Sequence, residues 1–109
     1  MPDKAHANQL RKGRFSSAGQ AYLVTAATHN RTPLFNDSHL GRLVVSEFRH
    51  VHERCLVDTL AWVVMPDHLH WLFVLGDQPL AKVMQRGKSR SAIAINKARA
   101  VEGRVWQPG

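Results

Sequence analysis

The sequence is poor in the residues that several classes of fold and site require. Its 109 residues include one cysteine, Cys55, and one tyrosine, Tyr22. One cysteine excludes a disulfide framework and a zinc site built from several cysteines. The longest apolar runs, residues 60–65 and, interrupted by His70, residues 69–75, are far shorter than the roughly 18–20 residues of a membrane-spanning helix. We therefore expect no membrane segment and, since the N-terminal charges precede no apolar signal core, a cytoplasmic protein.

Acidic residues are also scarce. Eight Asp and Glu stand against 15 Lys and Arg, which gives a net charge of +7, and seven histidines add to it where they are protonated. Such an excess in a short chain favours a polyanionic partner, most simply nucleic acid. The alternative is a basic surface that only keeps the protein soluble. An apolar content of 44% is sufficient for a packed core, and the length corresponds to one domain.

The pattern along the chain predicts a short arm followed by one folded domain. Residues 1–20 are polar and basic, with glycines and serines that break any periodicity, so we expect a flexible basic arm. Residues 21–109 form the domain, in the order strand, helix, strand, strand, helix. The predicted elements are strands at 21–28, 57–65 and 68–75 and helices from Asp37 or Ser38 to about Cys55 and from near Pro79 to Ala100. This order predicts an α+β, ferredoxin-like sandwich with two helices on one face of a mainly antiparallel sheet.

Two details of this prediction concern strand position and helix capping. The strand at 57–65 is apolar on both faces, with Leu60, Trp62 and Val64 expected on one of them. This pattern is typical of a central strand covered on at least part of each side. Asp37 or Ser38 is expected to cap the first helix, and Asp77 the second. Small residues in the middle of the second helix predict a close approach to the sheet.

The most specific local feature is a histidine pair that opens the strand at 68–75. His68 and His70 are two residues apart, so they project from the same face, while Leu69 points into apolar packing. Two such imidazoles can bind one divalent metal and leave coordination positions for substrate. The alternative is a pair hydrogen-bonded to water or backbone on a partly exposed face. Alternation also predicts that Asp67 points away from His68.

A second feature is the basic character of the last predicted helix. Lys82, Arg86, Arg90 and Lys97 recur at steps of four, four and seven residues. This spacing predicts a stripe that contacts phosphates, or else an ordinary solvated face. Trp62, Trp71 and Phe73 are expected in the core, because they lie on predicted buried strands, whereas the position of Trp106, near the chain end, is left open.

At this point the sequence resembles a known family. The segment Trp62-Val63-Val64-Met65-Pro66-Asp67-His68-Leu69-His70-Trp71-Leu72 is similar to the His–hydrophobe–His (HUH) signature of the single-tyrosine transposases, in particular the REP-associated tyrosine transposases of bacteria. Further matches in the same order are Tyr22-Leu23-Val24-Thr25, Thr32-Pro33-Leu34-Phe35, Lys88-Ser89-Arg90 and Val105-Trp106-Gln107-Pro108-Gly109. The resemblance extends from about Phe15 to the last residue.

The resemblance implies a definite chemistry. His68 and His70 would hold Mg²⁺ or Mn²⁺, which polarises a phosphodiester of single-stranded or hairpin DNA for attack by a tyrosine. The DNA-binding residues would be basic ones, namely Arg14, Lys82, Arg86, Lys88, Arg90 and Lys97. The resemblance is also compatible with a homodimer.

The resemblance is incomplete at the nucleophile. The tyrosine of the family lies on a helix downstream of the Trp-Gln segment, and we expect it beyond Gly109, so that the domain lacks its C-terminal part. Tyr22 stands at the wrong motif position and is interpreted as an ordinary strand aromatic. We therefore expect a chain that binds DNA and metal without supplying the catalytic residue. The alternatives are a non-catalytic nucleic-acid-binding module of the same fold and, more remotely, a metal-dependent hydrolase of small molecules.

Overall fold

The computed structural model describes residues 17–54 and 56–108, so the predictions for Arg14, for Cys55 and for most of the N-terminal arm lie outside the described residues. Three strands and two helices confirm the predicted α+β class. The elements are β1 (Ala21–Ala27), α1 (Ser38–Glu53), β2 (Val57–Met65), β3 (His68–Leu75) and α2 (Leu80–Arg99). The predicted loop between β1 and α1 contains two short 3₁₀ turns, His29–Arg31 and Leu34–Asn36.

The strands form an antiparallel sheet in the order β1-β3-β2. After α2 the chain returns beside the free edge of β1, where Thr28 makes an isolated antiparallel bridge with Trp106. The amide of His29 donates to the carbonyl of Val105 at 2.8 Å, and that of Gln107 donates to Ala27 at 2.9 Å. The C-terminal segment therefore occupies the fourth position of a ferredoxin-like sheet.

The prediction that residues 57–65 form a central strand is wrong. Within the described residues β2 is an edge strand, and β3 lies in the middle, paired on both sides. The side chains of Val63 and Met65 are exposed on the face that lacks helices, at 50% and 41%. An apolar pattern reflects side-chain chemistry only. The pairing of distant segments decides which strand lies in the middle of the sheet with a neighbour on each side.

A bulge explains a second error in β2. The register of β2 against β3 shifts between Thr59 and Ala61, so Leu60 is an extra, unpaired residue. Leu60 is consequently 56% exposed instead of sharing the face of Trp62. Thr59 takes the inward position, where its hydroxyl accepts a hydrogen bond from Trp71 Nε1 at 3.1 Å.

The core lies between the two helices and one face of the sheet, which we call the covered face. Trp71 and Phe73 on β3 are fully buried there, as predicted. Phe48 of α1 meets the Trp71 ring edge-on at 5.1 Å, and Trp62 stacks parallel on Trp71 at the same separation. Burial of aromatic side chains of this size dominates the stability of a small core.

The helix starts agree only in part with prediction. Asp37 caps α1, since its carboxylate accepts from the amide of His39 at 2.9 Å. Asp77 does not cap α2, which begins after Pro79 with no side-chain cap. Proline suits a helix start because its ring fixes φ near the helical value. Neither of these helices is long and apolar enough to cross a membrane.

The small residues of α2 have a different role from the one expected. A Cβ at Gly87 would lie 2.6 Å from Phe48 Cε2, which is inside van der Waals contact. Gly87 therefore admits the aromatic ring of α1, and the close approach is between the two helices. Nearby, Ser91 accepts a hydrogen bond from the buried Trp106 Nε1 at 2.9 Å.

Candidate metal and nucleic-acid site

The histidine pair lies on the face of the sheet that the helices leave uncovered, which we call the open face. His68 and His70 alternate along β3 with Leu69 and Trp71, whose side chains are buried on the covered face. The predicted orientation is thus confirmed. In the sheet register His70 stands between Thr25 and Val63, and His68 stands between Ala27 and Met65.

The two imidazoles are close neighbours. Their ring centroids are 4.7 Å apart and the ring planes are nearly perpendicular, at 82°. This separation is compatible with both rings on one cation at a nitrogen–metal distance of about 2.1 Å. Across residues 17–54 and 56–108 no group of three His, Cys, Asp or Glu side chains is arranged to hold a metal. Within the described residues, the predicted metal site therefore depends on His68 and His70 without a third such side chain beside them.

Asp67 contacts His68 directly, contrary to the prediction. Its Oδ1 lies 2.8 Å from His68 Nδ1. Alternation does not apply to Asp67, because it lies in the turn between β2 and β3 and not on a strand. Hydrogen bonds from Arg31 and His68 lower the pKa of Asp67 to about 2, so the carboxylate is an acceptor at neutral pH. His68 Nδ1 must then carry a proton, which leaves Nε2 with its lone pair available.

The turn that carries Asp67 is held by the loop after β1. Arg31 Nε donates to Asp67 Oδ2 at 2.9 Å, and the Thr28 amide and hydroxyl both donate to the Asp67 carbonyl, at 2.9 and 3.1 Å. Asn30 and Arg31 adopt left-handed backbone conformations, with φ of 57° and 53°. Such conformations are costly for residues with a side chain and persist where surrounding contacts compensate for them.

His70 has a different partner from His68. Its Nδ1 lies 2.9 Å from the hydroxyl of Thr25 on β1. A hydroxyl can donate or accept, so Thr25 holds the ring in place without fixing its tautomer. Sequence reasoning missed Thr25 and Arg31, since their contacts join segments 45 and 36 residues apart. It missed the contact of Asp67 with its neighbour His68 because strand alternation was applied to a turn residue.

The predicted DNA-binding residues of α2 do not converge on the histidines. Lys82, Arg86 and Lys97 are exposed on the helical layer, with the sheet between them and the open face. Arg90 is engaged in an ion pair with Glu47 of α1 at 3.0 Å. Lys88 lies on another side of the helix, because residues two apart do not share a helix face. Of the four residues in the predicted stripe, Arg90 is therefore engaged in an ion pair, and Lys82, Arg86 and Lys97 remain as its exposed members.

Tyr22 lies on the covered side of β1, away from the histidine pair. Its ring contacts Phe73 at a centroid distance of 6.2 Å, and its hydroxyl accepts a hydrogen bond from the amide of Ser17 at 3.0 Å. Both contacts agree with the interpretation of Tyr22 as a structural aromatic. Within the described residues, no tyrosine faces the open side of the sheet.

Comparison with known families decides the lineage of this fold. The family model described as "Transposase IS200 like" matches residues 16–109. The chain belongs to this family. None of the curated proteins matches it significantly.

Two solved structures have the same fold as this IS200-like transposase chain. One is a REP-associated tyrosine transposase bound to a REP hairpin, with a TM-score of 0.68 and 21% identity, covering 88% of this chain and 56% of that one. The other is a transposase candidate from Deinococcus radiodurans R1, with a TM-score of 0.70 and 21% identity, covering 86% of this chain and 77% of that one. The chain thus spans little more than half the length of the hairpin-bound protein.

Proposed function

We propose that this chain is the DNA- and metal-binding part of a transposase that acts on single-stranded or hairpin DNA. The observation that carries the proposal is the histidine pair, with its rings 4.7 Å apart on the open face and both Nδ1 atoms engaged by other side chains. Family membership supports DNA as the substrate, and one solved protein of the same fold was bound to a REP hairpin. Because the substrate is DNA, we place the activity in the cytoplasm.

The donor set of the pair suits a divalent cation, and we propose Mg²⁺ or Mn²⁺. When bound, such an ion acts as a Lewis acid that polarises a phosphodiester oxygen. His68 and His70 would hold it through Nε2. Asp67 keeps the proton of His68 on Nδ1 and holds that ring. Thr25 holds the His70 ring, and Arg31 holds the carboxylate of Asp67. Two protein ligands leave positions for water and for phosphate oxygens.

The residues of this chain do not complete the covalent step. Attack on phosphorus requires a tyrosine hydroxyl on the side of the scissile phosphate, and Tyr22 is packed against Phe73 beneath the sheet. We therefore propose that the described part binds and orients DNA without forming the phosphotyrosine bond. The placement of Tyr22 also favours a second candidate function, that of a non-catalytic nucleic-acid-binding module.

Phosphate contacts are proposed for the exposed basic residues of α2. Lys82, Arg86 and Lys97 are free to bind a DNA backbone, whereas Arg90 would first have to leave Glu47. The proposal for Lys88 and Arg14 rests on the sequence alone. Contacts of this kind release counterions, so binding should weaken steeply as salt rises.

Metal titration tests the central proposal. We expect the protein to bind Mn²⁺ with one site, detected by loss of the free-ion electron paramagnetic resonance signal, and the double variant His68→Ala/His70→Ala to lose this site. His39→Ala is the matched control, since His39 is an exposed histidine on α1. Equal Mn²⁺ binding by the wild type and the double variant would exclude the histidine pair as the site. If hairpin DNA binds equally well with and without Mn²⁺, the non-catalytic module is the better description.

A further inference from the structure

We propose that a groove beside α1, on the covered side of the β2 edge, binds a single-stranded segment of DNA. This inference rests on the proposed function and adds a second contact surface to it. The groove has a volume of about 550 Å³. Its lining residues are Phe35, Ser38, Gly41, Arg42, Val45, Ser46, Arg49 and Val64.

The groove combines a basic side with an apolar floor. Arg42 and Arg49 are exposed and, within residues 17–54 and 56–108, neither makes an ion pair. They are seven residues apart on one helix, which places them about 10.5 Å apart along its axis. That distance corresponds to about three nucleotides stacked at ~3.4 Å. The two arginines are therefore far enough apart to contact different phosphates of one strand.

The floor suits a nucleobase. Phe35, Val45 and Val64 supply apolar surface, and Gly41 adds no side chain of its own to the floor. Proteins that bind single strands without sequence preference combine a positive groove for the backbone with aromatic side chains for the bases, and Phe35 is the aromatic residue of this lining. The hydroxyl groups of Ser38 and Ser46 add hydrogen-bonding capacity at the rim.

The groove is placed to continue the path of a strand that passes the histidines. Phe35 at one end donates its amide to the carbonyl of Pro66 at 2.9 Å, next to the turn that carries Asp67. On the other face of the same edge strand, Val63 and Met65 stand opposite His70 and His68. A single strand lying on the histidines can therefore cross the β2 edge and enter the groove.

The groove is separate from the basic residues of α2. Glu47 lies on the side of α1 that faces Arg90, about half a helical turn from the side of Arg42 and Arg49. Charge also disfavours other occupants. The first 16 residues contain four Lys or Arg and one Asp, and a second copy of the chain carries a net charge of +7. Both would be repelled by the positive charges of Arg42 and Arg49.

The test compares a labelled DNA hairpin that carries a single-stranded tail with the same hairpin lacking the tail. We expect Arg42→Gln/Arg49→Gln to weaken binding of the tailed hairpin about tenfold and to lower its salt slope by about 1.4, at roughly 0.7 per contact to a single strand. Binding of the tail-less hairpin should change little. Arg54→Gln is the charge control, because Arg54 is exposed at the C-terminal end of α1.

A second variant tests the floor and keeps the charge. Ser46→Leu fills the groove from an exposed position with a side chain on which a base cannot stack, so it should retain the thermal stability of the wild type and reduce binding of the tailed hairpin. Four results would each contradict binding in the groove. They are undiminished binding by Ser46→Leu, equal losses with both hairpins, an equal loss from Arg54→Gln, and a change of oligomeric state without a change of DNA affinity.

Lys82→Gln/Arg86→Gln separates this inference from the proposed function. If this variant weakens DNA binding while the groove variants do not, the groove does not bind the single strand, and the proposed function is retained. If the wild type binds neither hairpin, the proposed function and the inference about the groove are both wrong.

Discussion

The two faces of β3 show how one strand serves two purposes. On the covered face, Leu69, Trp71 and Phe73 are almost completely buried against the helices. On the open face, His68 and His70 hold hydrogen bonds to Asp67 and Thr25 and remain accessible. Because strand residues alternate strictly, the packing that immobilises one set of side chains also orients the other. The histidine pair thus rests on a rigid support without taking part in the core.

The two faces of the sheet also differ in how far their apolar side chains are exposed. Leu23 and Val63 on the open face are exposed at 68% and 50%, whereas Leu69 on the covered face is exposed at 1%. Exposed apolar residues near a binding site can serve to contact a partner and add little to the stability of the fold. Substitutions on the two faces should therefore separate stability from binding.

The largest effect on stability is expected for a matched pair of leucines. Leu69→Ala removes a fully buried side chain and should lower the free energy of unfolding by about 2–5 kcal/mol. Leu23→Ala makes the same change on the exposed face and should alter it by less than about 0.5 kcal/mol. Urea denaturation followed by tryptophan fluorescence measures both. Similar losses would mean that the open face is covered in solution.

A matched pair of helix glycines tests the packing beneath the sheet. Gly87→Ala would place a methyl group 2.6 Å from Phe48 Cε2 and should destabilise the fold by about 1–3 kcal/mol. Gly41→Ala meets nothing closer than 3.9 Å, and the helix propensity of alanine should leave stability unchanged or raise it by up to ~1 kcal/mol. Thermal unfolding reports the difference, and equal effects of the two substitutions would contradict the proposed contact with Phe48.

The smallest expected effect on stability accompanies a change in metal affinity. Asp67→Asn removes the charged acceptor of His68 Nδ1, so Mn²⁺ affinity should fall about 10–100-fold while the fold is retained. Asp58→Asn is the control, since Asp58 is an exposed carboxylate at the far end of β2. Isothermal titration measures the affinity, and ¹⁵N NMR of the His68 ring reports its tautomer. An unchanged tautomer in Asp67→Asn would show that the carboxylate does not position the ring.

Much of the fold follows from local patterns. The bounds of β2 and β3 agree with the apolar runs, and Asp37 caps α1 as its position before the apolar stripe predicted. The errors concern what the patterns do not contain. The edge position of β2, the bulge at Leu60 and the insertion of Phe48 over Gly87 all arise from pairing and packing between separate segments.

The same division holds for the candidate site. The spacing of His68 and His70 predicted a shared face, because side-chain alternation is a property of any strand. The hydrogen bonds that orient the two rings come from Thr25 and from Asp67, which Arg31 in turn holds. Apart from the turn residue Asp67, these partners are distant in the chain, and no local periodicity reports them.

The sequence alone thus determined the element order, the shared face of His68 and His70 and the family resemblance, since these depend on residue identity and short-range spacing. Only the tertiary structure decided which strand is central, which charges of α2 are engaged, and that Asp67 contacts His68. It also brought Arg42 and Arg49 to a groove at the sheet edge. Contacts between distant segments depend on how the elements pack, and that information is distributed over the whole chain.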